Sequence, residues 1–238
     1  MAQKSRLRTN RYGTVINGVS KIQELELVDA LVEASEFINK EYDIALVHDK
    51  KILLCDIVGK LRKAFPSVDF GDPRSDTFMT PDGGILSIID FEDNKYPILI
   101  SEVKNQGTND LRIKEGKPPQ AKGNAIERLG KNVIGFRTAM LTEGIMPFLC
   151  FGYGWDFQEG SSILDRVLTI SMFGELNQTS VLDEGPNGCF NRGSYYFRQE
   201  KWTLEEMRDI MIDICERSIS YYFAKYGKHH FKYLQHTI

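Results

Sequence analysis

The stretch PDGGILSIIDFEDNKYPILISEVK, residues 81–104, decides the fold of this 238-residue chain. Residues 85–91 and 96–103 are two short runs rich in Ile, Leu and Val, a pattern that predicts β-strands. Residues 92–95, Glu-Asp-Asn-Lys, separate the two runs and are typical of a polar turn. The stretch is therefore expected to form an antiparallel hairpin.

Helical patterns flank this hairpin on both sides. In the first helix, expected over residues 21–39, the residues at helical spacing are Ile22, Leu25, Val28, Leu31, Val32 and Ser35. Further helices are expected over residues 51–65, ending at Pro66, and over residues 124–142, capped by Asn124. The last helix, over residues 203–225, opens with the capping-box pair Thr203 and Glu206.

The remaining segments give weaker signals. Residues 146–151 predict a buried strand, and residues 161–173 are compatible with a helix or a strand. Residues 105–122 are expected to form a long loop and residues 177–199 an irregular region, because both contain Gly and Pro breakers. Together the segments predict an α/β fold, a single domain with a central mixed β-sheet flanked by helices.

The length of the chain suits one sizeable domain. Residues 1–18 are expected to form a flexible basic N-terminal arm, followed by a single domain over residues 19–238. The basic residues of the arm are Lys4, Arg6, Arg8 and Arg11. Near the C-terminus lie His229, His230 and His236. A frayed polar tail is expected there rather than a metal site.

Composition excludes several classes of protein. The chain is 42% hydrophobic and 26% charged, which is ordinary for a globular protein and unlike a disordered or fibrous one. No run of about 18 apolar residues is present for a membrane span, and no apolar stretch follows the basic N-terminus to form a signal peptide. The four cysteines are widely spaced: Cys55, Cys150, Cys189 and Cys215. This spacing argues against a zinc site and a disulfide framework, and it favours a reducing, cytoplasmic location.

The distribution of charge is more informative than its sum. The formal net charge is −3, but residues 104–137 contain eight Lys or Arg residues and three acids. A local basic surface on an acidic chain can still bind phosphates, because these contacts act within a Debye length of about 8–10 Å. From charge alone, a solvated basic face remains the simpler interpretation.

The clearest chemistry lies in Asp82 and in the tripeptide Glu102-Val103-Lys104. Hydrolysis of a phosphodiester needs a metal that polarises the phosphoryl oxygen and activates water. Mg²⁺ is typically bound by one or two carboxylates. Asp82 at the start of one strand and Glu102 near the end of its hairpin partner are expected to lie close together. Lys104 shares the face of Glu102, and the carbonyl of Val103 is available as a further ligand.

Two interpretations of these residues stay open at the level of the pattern. In the catalytic one, Lys104 orients or deprotonates the attacking water, or stabilises charge that develops on the phosphate. In the structural one, Asp82 caps a Pro-Asp-Gly-Gly turn, and Glu102 and Lys104 form a solvated strand end. The catalytic interpretation gains from the apolar run 98–100 just before Glu102, because carboxylates that end a buried strand are costly and often functional.

A second segment, Lys122-Gly123-Asn124-Ala125-Ile126-Glu127-Arg128, lies where the long loop meets a helix. The start of a helix offers free backbone N–H groups and a partial positive charge, which suit a phosphate or acceptors on base edges. Asn makes bidentate contacts with adenine, and Arg commonly reads the major groove. From the residues alone, an Asn cap followed by a surface Glu-Arg pair is the simpler explanation of the segment.

Three motifs occur in order along the chain: Pro81-Asp82-Gly83-Gly84, Glu102-Val103-Lys104-Asn105-Gln106-Gly107 and Gly123-Asn124-Ala125-Ile126-Glu127-Arg128. In this order they closely resemble the EcoRI family of type II restriction endonucleases. The similarity continues through Lys131-Asn132 to Met140-Leu141 and Pro147-Phe148, and is looser over residues 58–61 and 202–214. It covers most of the chain from about residue 56 onward.

This resemblance implies a restriction-endonuclease-like PD-(D/E)xK fold and a homodimer that cuts palindromic double-stranded DNA with Mg²⁺, leaving four-nucleotide 5′ overhangs. It assigns metal binding to Asp82 and Glu102 and catalysis to Lys104 beside them. It makes Asn124, Glu127 and Arg128 the readers of adenines in an AATT core, with Gly123 and Ala125 packed at the bases. A two-fold protein matches a two-fold site, and the family implies a cognate DNA methyltransferase as a functional partner.

The sequence also departs from the family pattern near the outer base pair. Gln120 stands three residues before Gly123, where the family carries a methionine that touches that pair, and the loop before it contains Pro118-Pro119. Gln106, which matches a position near the outer base, is retained. Residues 177–199 are shorter than their counterpart, so part of a DNA-wrapping arm is expected to be reduced. The resemblance therefore leaves GAATTC, RAATTY and AATT as recognition sites.

Two other functions compete with the restriction enzyme. One is another nuclease of the same catalytic fold, such as a repair or junction-resolving enzyme, which would need no base-reading helix start. The other is a non-catalytic DNA-binding module, against which the intact set Asp82, Glu102 and Lys104 argues.

Overall fold

A computed structural model describes residues 16–105, 112–118, 124–170, 176–183 and 191–234 of the chain. The helices are α1 (Ile16–Tyr42), α2 (Leu54–Ala64), α3 (Asn124–Ala139), α4 (Ser162–Ile170) and α5 (Leu204–Tyr226). The strands are β1 (Leu46–Asp49), β2 (Ile52–Leu53), β3 (Phe78–Met79), β4 (Gly84–Ile89), β5 (Lys95–Asn105), β6 (Phe148–Tyr153) and β7 (Ser194–Arg198). The predicted α/β fold with a central mixed sheet is confirmed.

The central sheet has the strand order β1-β4-β5-β6-β7. Its first half is antiparallel, and β4 and β5 form the predicted hairpin, in which Ile85 lies opposite Ile100. Its second half is parallel, because β6 runs beside the C-terminal half of β5 and β7 beside β6. The C-terminal ends of β5, β6 and β7 therefore meet at one edge of the sheet, where Lys104 lies.

Helices cover both faces of the sheet. Helix α3 lies on the face that carries Glu102 and Phe148, and the Phe136 ring stacks on Phe148 at 5.9 Å between centroids. Helices α1 and α5 cover the opposite face, where Leu27 of α1 approaches the Gly83 turn and Tyr222 of α5 donates a hydrogen bond to the Pro97 carbonyl. The buried core fills the space between these layers.

The first helix is longer than predicted and buries a different face. It begins at Ile16, so residues 16–18, assigned to the arm, belong to the helix, and residues 1–15 lie outside the described residues. Ile22, Leu25 and Val32 are 43–56% exposed. Leu31 is buried as part of a face that also contains Leu27, Ala30, Ala34 and Ile38. The two alanines, four residues apart, leave little side chain between this face and its neighbours, so the helix packs closely there.

In four segments the structure differs from the prediction or decides between the alternatives that the sequence left open. The helix expected from residue 51 begins at Leu54, because Ile52–Leu53 pairs with Phe78–Met79. The ambiguous segment 161–173 contains helix α4, with Ile163 and Val167 buried four residues apart. The segment 177–199, expected to be irregular, ends in the strand β7, whose aromatic residues pair in parallel with β6. Of the expected loop 105–122, the described part 112–118 opens with a helical turn, and residue 105 still belongs to β5.

The C-terminal segment is not a frayed tail. The Phe231 side chain is fully buried, its ring packs against Tyr96, and the residue forms an isolated β-bridge with Asp90. His230 stacks on the Tyr226 ring. These contacts attach the segment to the hairpin up to residue 234, and residues 235–238, with His236, lie outside the described residues.

Two predictions from the sequence concern the cysteines and membrane-spanning segments. Cys55, Cys150 and Cys215 are free thiols, and Cys189 lies outside the described residues. Among the described helices, none combines the length and the apolar character that crossing a membrane requires.

Candidate active site

The Pro81-Asp82-Gly83-Gly84 turn places Asp82 at the entrance to β4. Gly84 has a φ of +89°, a left-handed conformation that suits glycine, and its N–H bonds to the Pro81 carbonyl at 3.2 Å. The N–H of Gly83 bonds to the Ser101 carbonyl at 2.9 Å. A β-carbon at Gly83 would collide with the Ser101 hydroxyl and lie 2.9 Å from Leu27. The turn therefore packs closely against β5, beside Glu102.

The structure brings Asp82, Glu102 and Lys104 into direct contact. The Lys104 ammonium donates to Oδ2 of Asp82 at 2.8 Å, to Oε1 of Glu102 and to the Val103 carbonyl at 3.2 Å. The backbone N–H of Asp82 donates to Oε2 of Glu102 at 3.1 Å. The N–H of Val103 donates to Oδ2 of Asp82 at 3.2 Å. Two carboxylates and a carbonyl thus converge on one ammonium group.

The two carboxylates differ in how deeply they are buried. The Glu102 side chain is 1% exposed, whereas Lys104 and Asp82 are 15% and 25% exposed. Burial raises the pKa of Glu102, and the Lys104 ammonium opposes that rise while the Asp82 carboxylate adds to it. Burial also disfavours the Lys104 ammonium, but the carboxylates of Glu102 and Asp82 outweigh it and raise the pKa of Lys104. Lys104 is therefore charged at neutral pH, and Glu102 depends on its partners to remain ionised.

Two further residues reach this cluster from outside the hairpin. Asn132 of α3 donates a hydrogen bond from its side-chain amide to Oε1 of Glu102 at 2.9 Å. Glu24 of α1 lies close enough to interact electrostatically with Asp82 and Lys104. Burial and the Asp82 carboxylate raise the pKa of Glu24, and the Lys104 ammonium opposes this rise. Sequence reasoning did not assign a role to either residue. A signal for Asn132 existed, because a polar residue stands next to the buried stripe of its helix.

The residues present suit a hard divalent cation. The carboxylates of Asp82 and Glu102 and the Val103 carbonyl form an all-oxygen donor set around one point, which is the kind of set that Mg²⁺ takes. Among the described residues, no group of three or more His, Cys, Asp and Glu side chains is placed to hold a metal ion. Soft or imidazole ligands that would favour zinc do not take part in the contacts described above.

The predicted base-reading segment opens helix α3. The helix begins at Asn124, Ile126 is buried against the core, and Glu127 and Arg128 are exposed in the first turn and a half. The side chains of Asn124 and Ala125 lie outside the described part of the chain. So do Gln106, Gln120, Lys122 and Gly123. Asn124 and Asn132 are eight residues apart, so the start of the helix is about 12 Å along its axis from the Glu102 contact.

Taken together, these groups have the chemistry needed for phosphodiester hydrolysis. Two carboxylates can bind a metal, a charged lysine beside them can stabilise negative charge on a phosphate, and an exposed helix start lies on the same side of the sheet.

Comparisons with known proteins show similarity to restriction endonucleases. A family model described as restriction endonuclease EcoRI matches residues 13–163. The type II restriction enzyme RsrI of Cereibacter sphaeroides is 30% identical over 220 residues, which cover 78% of each chain. The type II restriction enzyme EcoRI of Escherichia coli is 25% identical over 241 residues, covering 86% of this chain and 87% of that enzyme.

Proposed function

The chain belongs to the EcoRI family of type II restriction endonucleases, and from this premise we propose that it makes Mg²⁺-dependent double-strand cuts in palindromic DNA with an AATT core, leaving four-nucleotide 5′ overhangs. Membership of the family makes the chain a site-specific deoxyribonuclease that acts on DNA, and enzymes of this family generally need a divalent metal. The observation that carries the finer proposal is the convergence of Asp82, Glu102 and Lys104 beside the helix that begins at Asn124.

In the proposed mechanism the metal is held by Asp82, Glu102 and the carbonyl of Val103. When bound, Mg²⁺ supplies Lewis-acid polarisation of the phosphoryl oxygen and lowers the pKa of the attacking water. Lys104 donates hydrogen bonds to the phosphate as negative charge develops on it. This role suits its raised pKa better than that of a general base, because a lysine that holds its proton is a poor acceptor. Glu102, almost fully buried, is kept away from bulk water by the sheet.

The proposed recognition surface is the start of α3 with the segment before it. Asn124, Glu127 and Arg128 read the adenines of the core, and Gly123 and Ala125 pack at the bases. The exposure of Glu127 and Arg128 supports this assignment, since base-reading side chains must be free to meet the groove. Nearby contacts to the outer bases and the backbone are assigned to Gln106, Gln120 and Lys122.

A homodimer is part of the proposal, because a palindromic site presents two equal halves. Its support in the structure is the outer face of α3. Ile134 of α3 is 62% exposed, and Leu141, just beyond the end of the helix, is 49% exposed. Two copies joined through this face would bring two recognition helices to one site.

The proposal also includes a cellular setting. The enzyme would work in the cytoplasm, together with a cognate DNA methyltransferase that protects the same sequence in the host genome. This partner is functional, and no physical complex with it is proposed.

The test is cleavage of a pool of duplexes with randomised bases around AATT, in the presence of Mg²⁺, followed by sequencing of the ends. Cuts confined to AATT-centred palindromes with four-nucleotide 5′ overhangs are expected, and the flanking bases in those products identify the outer pair. Cuts elsewhere would retain the catalytic residues and reject the recognition roles. Specific binding without cleavage would replace the proposal with a non-catalytic DNA-binding module.

Asn124→Ala examines the recognition role by itself. The variant is expected to lose about 1–3 kcal/mol of discrimination between AATT and a duplex with an adenine replaced, the usual worth of a bidentate base contact. Thr169→Ala, an exposed threonine of α4 whose hydroxyl donates to the Asp165 carbonyl of its own helix, is the control. Equal discrimination in Asn124→Ala and Thr169→Ala would reject the assignment.

A further inference from the structure

The Glu102 carboxylate has donors on both of its oxygens. Oε2 accepts from the Asp82 N–H at 3.1 Å, and Oε1 accepts from the Lys104 ammonium and from the Asn132 amide at 2.9 Å. Asp82 and Lys104 belong to the hairpin that also carries Glu102. Among the residues that the structure describes, Asn132 is the donor to Glu102 that comes from another element, helix α3. The orientation of a 1% exposed catalytic carboxylate therefore depends partly on helix α3.

Helix α3 is firmly seated at the point where it carries Asn132. Leu129, Val133 and Phe136 are 0–1% exposed, and the Phe136 ring stacks on Phe148 of β6. Asn132 stands beside this stripe, so the docking of the helix decides where its amide lies. The same helix begins at Asn124, about 12 Å away along its axis. A slide or tilt of α3 when its first turn meets DNA would act directly on the bond to Glu102.

We propose that Asn132 is a positioning residue that orients Glu102 for metal binding and makes that orientation depend on the placement of the recognition helix. The inference rests on the proposed function, since it takes Glu102 as a metal ligand and the start of α3 as the base reader. An amide suits this task because it donates a hydrogen bond without adding charge, and Lys104 already supplies the positive charge. Partners that orient metal ligands in this way typically affect metal affinity or activity by about 10–100-fold when they are removed.

The first experiment measures metal binding without catalysis. Mn²⁺ is titrated calorimetrically into the wild type, Asn132→Leu, Asn132→Ala and the control Thr169→Ala, an exposed threonine of α4. Leucine has the same branching and number of side-chain heavy atoms as asparagine and removes the donor, and thermal melting checks that the helix remains packed. Mn²⁺ affinity is expected to fall about 10–100-fold in Asn132→Leu and to stay at the wild-type value in Thr169→Ala. Asn132→Ala, which also lacks the donor and adds no charge, is expected to weaken binding too.

Wild-type Mn²⁺ affinity in both folded Asn132 variants would overturn the positioning role. This readout is independent of cleavage, so it separates the two proposals. If the wild-type protein cuts no AATT duplex but the Asn132 variants still lose Mn²⁺ affinity, the proposed function fails and the positioning role stands.

The second experiment examines the link to recognition. Single-turnover cleavage is measured with saturating enzyme and metal, on a cognate duplex and on one with a single base pair of the AATT core changed. The wild type is expected to cut the changed duplex much more slowly, because its helix start is misplaced there. In Asn132→Leu the cognate rate is expected to fall, and the ratio of the two rates is expected to move toward one. An equal fall on both duplexes would overturn the link to α3.

Discussion

Asp82 and Glu102, twenty residues apart, hold each other in place across two antiparallel strands. The N–H of Asp82 donates to Oε2 of Glu102 at 3.1 Å, and the Asp82 carboxylate accepts the N–H of Val103 at 3.2 Å. Each carboxylate is thus bonded to the backbone of the strand that carries the other. This reciprocal arrangement would pre-organise the proposed metal site without a third acid, and Asn132 of α3 adds a donor to Glu102 from outside the hairpin.

Glu102→Gln is expected to keep specific DNA binding and to lose most of its cleavage. The amide retains the shape of the side chain and can still accept the Asp82 N–H, but it removes the negative charge that binds the metal. Gel-shift titration without metal measures binding, and single-turnover assays measure the cut. Glu92→Gln, at the exposed turn of the same hairpin, is the control. Normal cleavage by Glu102→Gln would show that this carboxylate is not a ligand.

Lys104→Met is expected to abolish cleavage and to destabilise the metal-free protein by about 3 kcal/mol at pH 8, because it leaves two buried or partly buried carboxylates unpaired. The loss should shrink toward pH 5. Without the ammonium the pKa of Glu102 rises further above its ordinary 4.5. Between pH 4.5 and this raised pKa the folded protein holds a proton that the unfolded chain does not. The stability of the variant therefore falls as pH rises through this range.

Urea unfolding in EDTA at several pH values measures this effect. Lys95→Met, on the same strand, is the matched control, since the Lys95–Asp49 pair is 47% and 30% exposed and is worth about 0–1 kcal/mol. A constant difference between Lys104→Met and the wild type from pH 5 to pH 8 would contradict the argument.

The hairpin and its acidic residues could be predicted because the signals are local. Two apolar runs, a polar turn and a two-residue spacing suffice to place Glu102 and Lys104 on one face, and the resemblance to a known family adds the expected metal role. Strand β7 could not be predicted in the same way. Its pairing with β6 involves residues about 45 positions apart, as between Leu149 and Ser194, and nothing near Ser194 in the sequence announces that partner.

The residues around the site that the sequence did not indicate make their contacts between distant parts of the chain. Asn132 contacts Glu102 across thirty residues, and its role depends on how α3 docks on the sheet. Glu24 reaches the cluster from α1, whose buried face was itself not predictable, because apolar residues occur on two sides of that helix. The C-terminal segment gave a polar signal, but Phe231 anchors it in the core. The sequence therefore did not indicate contacts between elements, nor strand β7, whose formation depends on such a contact.

Ile134→Glu is expected to convert the proposed homodimer into a monomer. Ile134 is 62% exposed on the outer face of α3, so the change should cost little stability in a single chain, while it places a charge in an apolar interface between two copies. Sedimentation velocity measures the oligomeric state, and Ile22→Glu on α1, at a residue that is 56% exposed, is the control. A dimer in both variants would move the interface away from α3.

Glu206→Gln is expected to lower stability at pH 7 and to lose that effect in acid. Glu206 closes the capping box of α5 with Thr203 and pairs with Arg198, whose guanidinium lies 3.7 Å from the centre of the Trp202 ring. The bonds from Arg198, followed by that from the Thr203 backbone, lower the pKa of Glu206 from 4.5 to about 2. Between those values the unfolded chain binds a proton that the folded protein does not, so the stabilisation is present above pH 4.5 and is lost as pH falls toward 2.

Because the Glu206 side chain is 40% exposed, solvent screens the pair, and the expected loss at pH 7 is about 0.5–1 kcal/mol. Glutamine can still close the capping box, so the measured difference reports the charge. Urea unfolding of the wild type, Glu206→Gln and the control Glu205→Gln, an exposed acid in the same first turn, should show the Glu206 difference narrowing between pH 5 and pH 3. A difference that does not vary with pH would assign the effect to the geometry of the cap instead of the ion pair with Arg198.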